Sequence, residues 1–452
     1  MTERQLFGTD GIRGEANVHP MTIQVAMRLG QSIAHTFRRL GQGKPRVIIG
    51  KDTRLSGYLF ETAITAGVAS IGAEAWQVGV LPTPGIAYIT GAFRAEAGVV
   101  ISASHNSFQD NGLKVFGGDG FKLPDAVEAQ MERLMAGDEL DGVLARGADV
   151  GRAFRIEDAL GRYVTYLKGT FPRELDLDGV KVVVDCANGA AYKVAPLMLQ
   201  ELGATVVQLG TSPNGTNINA GNGALHPERM AETVRAVGAQ LGIALDGDAD
   251  RVILCDEKGT IVDGDHIMAV CAARMKAAGT LRHDTVVSTV MSNLGLEVAM
   301  RRLGIQLVRT AVGDRYVVEE MRRGGFNLGG EQSGHLLFLD HSTTGDGCLS
   351  ALQVLAVVLR EGRPLSELSR IMERYPQVLL NLQVRERRPI ESLGRVQASI
   401  RGVEAALGTA GRVLVRYSGT EPKVRIMIEG EDRSSIQAYA EEIAAAFRTE
   451  IG

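Results

Sequence analysis

At 452 residues, with 55 glycines and few aromatic residues, the chain is too long for one hydrophobic core and is expected to divide into several domains. Lys plus Arg number 49 against 53 Asp plus Glu, a net charge of −4, so no basic field argues for a nucleic-acid partner. The longest apolar stretch, near Ala351 to Leu359, is too short to span a membrane, and Met1 to Gln5 opens no secretion signal. Cys186, Cys255, Cys271 and Cys348 lie far apart without metal-ligand spacing and read as reduced core thiols of a cytoplasmic protein.

The chain opens on a glycine-rich loop, Phe7-Gly8-Thr9-Asp10-Gly11-Ile12-Arg13-Gly14, carrying one cation, Arg13. A helical pattern from Ile23 to Leu40 follows, then a strand Arg46 to Gly50, a helix Tyr58 to Ile71 and a strand Ala73 to Val78. Pro82-Thr83-Pro84 is expected to break the chain, and Ala97 to Ile101 is a further strand. This alternation is that of βαβ units, and the polar, glycine-bearing stretch Gly137 to Val150 marks a domain boundary. A second series runs through Val180 to Asp185, Ala191 to Leu202, Thr205 to Gln208, Pro227 to Val237 and Leu241 to Asp246. A third, from about 256 to 372, alternates strands near 285, 306 and 329 with helices. After a short hinge near Glu373 to Pro376 the last eighty or so residues alternate at Val378 to Val384, Arg412 to Tyr417 and Lys423 to Glu429, the pattern of a small α+β unit with an antiparallel sheet. The expected layout is therefore α/β units at 1–150, 151–255 and 256–372, with an α+β unit at 373–452.

Four loops carry chemistry. At the end of the apolar run Leu241 to Leu245 stand Asp246, Asp248 and Asp250, followed at once by Arg251. Three carboxylates so close repel one another unless a cation neutralises them, and hard oxygen ligands suit Mg²⁺ or Ca²⁺. The spacing nearly matches an EF-hand loop down to Glu257, but Arg251 stands where that loop needs glycine and a strand follows, so that reading fails. Ser104 sits just past a buried strand, followed by His105 and Asn106; an expected Asn111-Gly112 hairpin turn folds Lys114 back toward it. A serine with a nearby cation and a separate metal loop is equipped to carry a phosphoryl group. No G-x-S-x-G, Walker A or dinucleotide fingerprint competes. Gly329 to His335 exposes Glu331 and Ser333 to bind sugar hydroxyls, and His335 for proton transfer or phosphate. Between two strands, Arg416, Ser418, Gly419, Thr420 and Arg425 form a nest suited to a phosphate dianion. Each loop alone also reads as a solvated turn; together they describe a phosphosugar phosphotransferase.

On these four loops, in this order, the chain resembles the α-D-phosphohexomutase superfamily over its whole length. The Gly8 to Gly14 opening, the Gly-Glu-Gln-Ser-Gly-His form of the sugar loop and Val312-Gly313-Asp314-Arg315-Tyr316 resemble its glucosamine branch. One departure is Ser107, where the family usually has proline. The resemblance implies three similar α/β domains with mixed sheets and a smaller C-terminal α+β domain around a central cleft, the last acting as a lid. It further implies Mg²⁺ on Asp246, Asp248, Asp250 and a phosphorylated Ser104, and a hexose 1,6-bisphosphate as activator and intermediate. The implied reaction is the interconversion of glucosamine 6-phosphate and glucosamine 1-phosphate, with Arg13, Lys114 and Arg251 assisting transfer. The implied product supplies UDP-N-acetylglucosamine for bacterial peptidoglycan, and the implied assembly is a homodimer.

Overall fold

The computed structural model describes residues 6–8, 10–38, 43–408, 410–417 and 423–452. Its first sheet has strands β1 (Ile12–Glu15), β2 (Arg46–Lys51), β3 (Glu74–Val80), β4 (Ala97–Ile101), β5 (Asp110–Gly117) and β6 (Ala153–Arg155), in the order β1-β5-β4-β2-β3-β6. The centre is parallel, with β2 between β3 and β4, whereas β5 runs antiparallel to both β4 and β1. β4 is buried along its whole length, as an unbroken Ala-Gly-Val-Val-Ile run requires. Its core joins Ile33, Val47, Phe60, Ile101 and Leu113 among others, and Thr22 caps the first helix, Ile23–Thr36, with its side chain.

The second sheet comprises β7 (Lys181–Asp185), β8 (Thr205–Leu209), β9 (Leu241–Leu245), β10 (Val252–Asp256) and β11 (Ile261–Val262), ordered β11-β10-β9-β7-β8. The third comprises β12 (Thr285–Thr289), β13 (Gln306–Thr310), β14 (Leu328–Gly330) and β15 (Leu336–Phe338), ordered β13-β12-β14-β15. Both mix parallel pairs with an antiparallel edge, β10 on β9 and β15 on β14. The last sheet is wholly antiparallel: β16 (Gln377–Gln383), β17 (Gly411–Tyr417) and β18 (Lys423–Gly430), ordered β16-β18-β17. The helix Arg433–Ile451 covers it, capped by Asp432, and buries Ile436, Ile443 and Phe447.

By compactness the chain forms two units, residues 1–291 with 305–370, and residues 292–304 with 371–452. The first contains three of the sheets and the second the antiparallel one. This is the expected fold class, three α/β layers and a smaller α+β unit. Among the described residues no helix is long and apolar enough to cross a membrane, and all four cysteines are free and buried.

Two local expectations are corrected. Pro82-Thr83-Pro84 does not break the chain but starts the helix Thr83–Ala92, because a proline in the first turn forfeits no intrahelical bond. Asn111-Gly112 is no hairpin turn: both residues lie inside β5, paired with Gly14 and Arg13 of β1. The turn lies earlier, and the Asn111 side chain satisfies itself on Ser56 Oγ and the Gly112 N–H.

Candidate active site

β4 delivers the chain into the serine loop. Ser104 is 1 % exposed and holds φ = 51°, a left-handed conformation costly for a residue with a β-carbon. The loop is pinned from within by Arg54, whose buried guanidinium donates to the carbonyls of Ser104 (2.9 Å), Asn106 (2.9 Å), Asp110 (3.0 Å) and Ser107. Asn219 adds bonds to the Ser104 and Asn106 carbonyls. Asp52 neutralises Arg54 at 2.8 Å and accepts from Ser102 Oγ, which in turn accepts from the Ser104 N–H. At position 107 the loop uses a backbone carbonyl, which serine supplies as well as proline. The Ser104 hydroxyl is thereby aimed at Asp246 Oδ2, 2.6 Å away. His105 Nδ1 lies 3.3 Å from the same hydroxyl; burial, with Arg251 and Arg13 nearby, pushes that imidazole down to about 4, so it is neutral near pH 7.

β9 delivers the acidic loop. Asp246, Asp248 and Asp250 are buried and bring one oxygen each within 4.8 Å of one another. Gly247 is required here, since a β-carbon would sit 2.5 Å from the Ser104 carbonyl oxygen. Burial and the two neighbouring acids push Asp246 well up. Asp248 moves down despite its burial, because Lys114 Nζ lies 2.9 Å away and Thr83 Oγ1 donates at 2.7 Å. Burial likewise opposes the charge on Lys114, yet Asp10, Asp248 and Asp250 outweigh it and hold the amine as an ammonium. Asp248 Oδ1 and Asp250 Oδ1 are buried without a hydrogen-bond partner among the described residues. Buried carboxylate oxygens with no donor fit a cation.

β14 and β15 carry the sugar loop. Gly334, at φ = 90°, packs so tightly on Val252 that a β-carbon would lie 2.1 Å from its carbonyl oxygen, and this closes His335 onto Arg251. A pocket of about 390 Å³ then gathers Arg13, Asp250, Arg251, Asp314, Glu331 and His335 in its walls. Arg13 Nε, Arg251 Nε and His335 Nε2 are all buried without a partner among the described residues. Three donors left unpaired around one pocket are what a phosphate dianion would satisfy. Ser333 Oγ also has no partner among the described residues, and Glu331 accepts from the Gly313 N–H at 3.2 Å. A separate cavity of about 320 Å³, walled by Cys271, Phe338, Ala356 and Val357, holds none of the expected site residues.

In the second unit Arg416 of β17 pairs directly with Arg425 of β18, and Arg425 Nε is buried without a partner among the described residues. Burial and Arg425 lower the basicity of Arg416. Two like charges set side by side fit an anion between them. Ser418, Gly419 and Thr420 lie outside the described residues, as does Thr9 of the opening loop.

Sequence reasoning missed Arg54, Asp52, Thr83, Asp10 and Lys122. The only sequence signal for the first two is an Asp-x-Arg run directly after a buried strand, Asp52-Thr53-Arg54, the place where α/β sheets bind ligands.

Models of the phosphoglucomutase/phosphomannomutase family match four successive stretches: α/β/α domain I at residues 4–141, domain II at 161–259, domain III at 263–375 and the C-terminal domain at 379–446. The chain belongs to the phosphoglucomutase/phosphomannomutase family. Within that family it is 58 % identical to the phosphoglucosamine mutase of Syntrophotalea carbinolica over 100 % of this chain and 98 % of the relative. It is 59 % identical to that of Myxococcus xanthus, covering 98 % of this chain and 96 % of the relative. Among solved structures, a family protein of Burkholderia thailandensis superposes with a TM-score of 0.79 at 22 % identity, covering 98 % of this chain and 97 % of the other. The N-acetylphosphoglucosamine mutase of Aspergillus fumigatus, solved with GlcNAc-6P and magnesium, gives 0.70 at 19 % identity, covering 99 % and 96 %.

Proposed function

We propose that this family member interconverts glucosamine 6-phosphate and glucosamine 1-phosphate, with Ser104 as the phosphoryl carrier. The observation that carries the reading is the buried Ser104 hydroxyl on Asp246, with Arg13, Arg251 and His335 in the walls of the adjoining pocket and their Nε, Nε and Nε2 atoms unpartnered among the described residues. Asp246, Asp248, Asp250 and a phosphoryl oxygen on Ser104 would hold Mg²⁺, which when bound offsets negative charge at the transferring group. Phospho-Ser104 gives its phosphoryl group to the sugar O1: the Ser104 Oγ–P bond breaks, a new O1–P bond forms, and the O1 proton passes, by way of a base in the pocket, to the freed Ser104 oxygen. The resulting 1,6-bisphosphate turns over in the site, and its 6-phosphoryl group returns to the serine, leaving a hydroxyl at C6. A trace of the same hexose 1,6-bisphosphate serves as activator.

Because Lys114 is held as an ammonium, its part is electrostatic rather than that of a base. His335, in the pocket wall and with no hydrogen-bond partner on Nε2 among the described residues, is the group proposed to move the sugar hydroxyl proton. Glu331 and Ser333 read hydroxyls, and Arg416 and Arg425, with Ser418, Gly419 and Thr420, clamp the phosphate that is not reacting. The product feeds UDP-N-acetylglucosamine and wall synthesis in the cytoplasm, and the working assembly is a homodimer.

The test is turnover with Mg²⁺ and a trace of glucose 1,6-bisphosphate on glucosamine, mannose and glucose 6-phosphates in parallel. Preference for glucosamine 6-phosphate is expected. Equal or better use of the neutral sugars would place the chain with the phosphomannomutase/phosphoglucomutases instead. No turnover of any of them by protein phosphorylated on Ser104 would make it a phosphosugar binder.

A further inference from the structure

We propose that Lys122 is a positioning residue of this centre, locking the opening glycine loop to the Val312–Asp314 loop so that Lys114 is held on the acidic loop and Glu331 in the pocket wall. The inference rests on the mutase reading above. Lys122 lies just past β5 with its side chain 15 % exposed. Its ammonium sits 2.5 Å from Asp10 Oδ1 and 2.5 Å from Asp314 Oδ2. The other Asp10 oxygen lies 3.1 Å from Lys114 Nζ, and Lys114 reaches Asp248 at 2.9 Å. On the far side, Asp314 Oδ2 lies 3.6 Å from His335 Nδ1, while the neighbouring Gly313 N–H donates to Glu331.

The result is one run of ion pairs, Asp248–Lys114–Asp10–Lys122–Asp314, with His335 beside its last member, linking the acidic loop to the sugar loop. Lys122 joins two acids of this run and lies outside the pocket lining, although both of those acids are in that lining. It therefore acts through Lys114 and Glu331 rather than on the reacting atoms. Removing it leaves Asp314 without its ammonium and leaves Asp10 to Arg13 and Lys114 alone, so that Asp10 pulls harder on Lys114 against Asp248. Displacement of such groups by about 1 Å is enough to cost on the order of 100-fold in rate.

The experiment compares Lys122→Met and Lys122→Arg with the parent enzyme, each phosphorylated on Ser104 to the same measured extent. Lys122→Met is expected to lower kcat/KM for glucosamine 6-phosphate by about 100-fold, with a fall in kcat as Lys114 shifts and a rise in KM as Glu331 loosens. Lys122→Arg, whose fork can span both acids, should recover all but a few-fold. If Lys122→Met does not fold, the double variant Lys122→Met/Asp314→Asn removes the acid left unpaired and should fold while keeping the loss. Two outcomes overturn the inference: activity of Lys122→Met within twofold of the parent, or equal losses in the Met and Arg variants, which would point to packing. A parent enzyme that turns over no hexose phosphate would instead defeat the mutase reading itself.

Discussion

Ser104 is held by Arg54 more than by its own neighbours in sequence. Arg54 is fully buried, its charge is met by Asp52, and its remaining donors are spent on the carbonyls of the serine loop. Arg54→Met would leave Asp52 buried without its counter-charge and take a donor from each of four carbonyls, of which Asn219 still holds two, a loss of about 3–5 kcal/mol by the usual cost of breaking a buried pair. Chemical denaturation should show that loss, and the variant should no longer take up phosphate on Ser104 from glucose 1,6-bisphosphate. Stability close to that of the parent would mean that the loop is set by something else. Ser104→Ala separates chemistry from scaffold, because it removes only an oxygen. Turnover should fall by at least about 1,000-fold while the melting curve stays in place. Retained turnover would take the carrier role away from Ser104.

At the scale of elements, what the sequence made readable was whatever repeats along a strand or helix. The buried strands β4, β7 and β9 carry apolar runs, and the loops that leave β4 and β9 carry Ser104 and the three aspartates. β5 was not legible, because its Asn111-Gly112 start mimics a turn, and only pairing with both β1 and β4 makes it a strand. Arg54 and Lys122 were invisible for a related reason: their partners lie up to 56 and 192 positions away, and no local pattern reports a contact of that range. The helix Gly347–Glu361 offers a test of one such contact. Asp346 caps it by accepting from the Leu349 N–H, and Tyr163 donates to its other oxygen at 2.6 Å. Burial nevertheless pushes this carboxyl up to about 6 from its ordinary 3.8. The folded chain thus holds this proton more tightly than the unfolded chain. The associated stability is complete below about pH 4 and is lost as pH rises through 6. Asp346→Asn keeps the cap and cannot titrate. Relative to it, the parent should lose roughly 3 kcal/mol between pH 4 and 7 in urea unfolding. A constant difference across that range would contradict the assignment.

At the scale of the whole chain, the C-terminal unit is not made of C-terminal sequence alone. Residues 292–304, inserted between β12 and β13 of the third sheet, group with residues 371–452. Asn293 shows why: its side chain donates to the Tyr375 carbonyl at 3.1 Å and to Glu429 at 3.0 Å, and accepts from the Tyr375 N–H at 2.9 Å. Gly295 packs so closely on Glu373 that a β-carbon would lie 1.8 Å from its carbonyl oxygen, and Arg412 donates to the Ser292 carbonyl. The chain therefore enters this unit twice, and cutting it near residue 370 does not yield two intact pieces. A protein ending at Arg370 would strip Asn293 of three bonds, at about 1–3 kcal/mol for each buried polar group left unsatisfied. It would also unpack the helix Leu294–Arg302, whose Leu296 and Met300 are fully buried in the whole chain. Hydrogen exchange should show lost protection across residues 294–302 in that truncated protein, with strands β2, β4 and β9 still protected and a lowered melting temperature. Full protection of 294–302 after truncation would show that the helix belongs, energetically, to the α/β part of the chain.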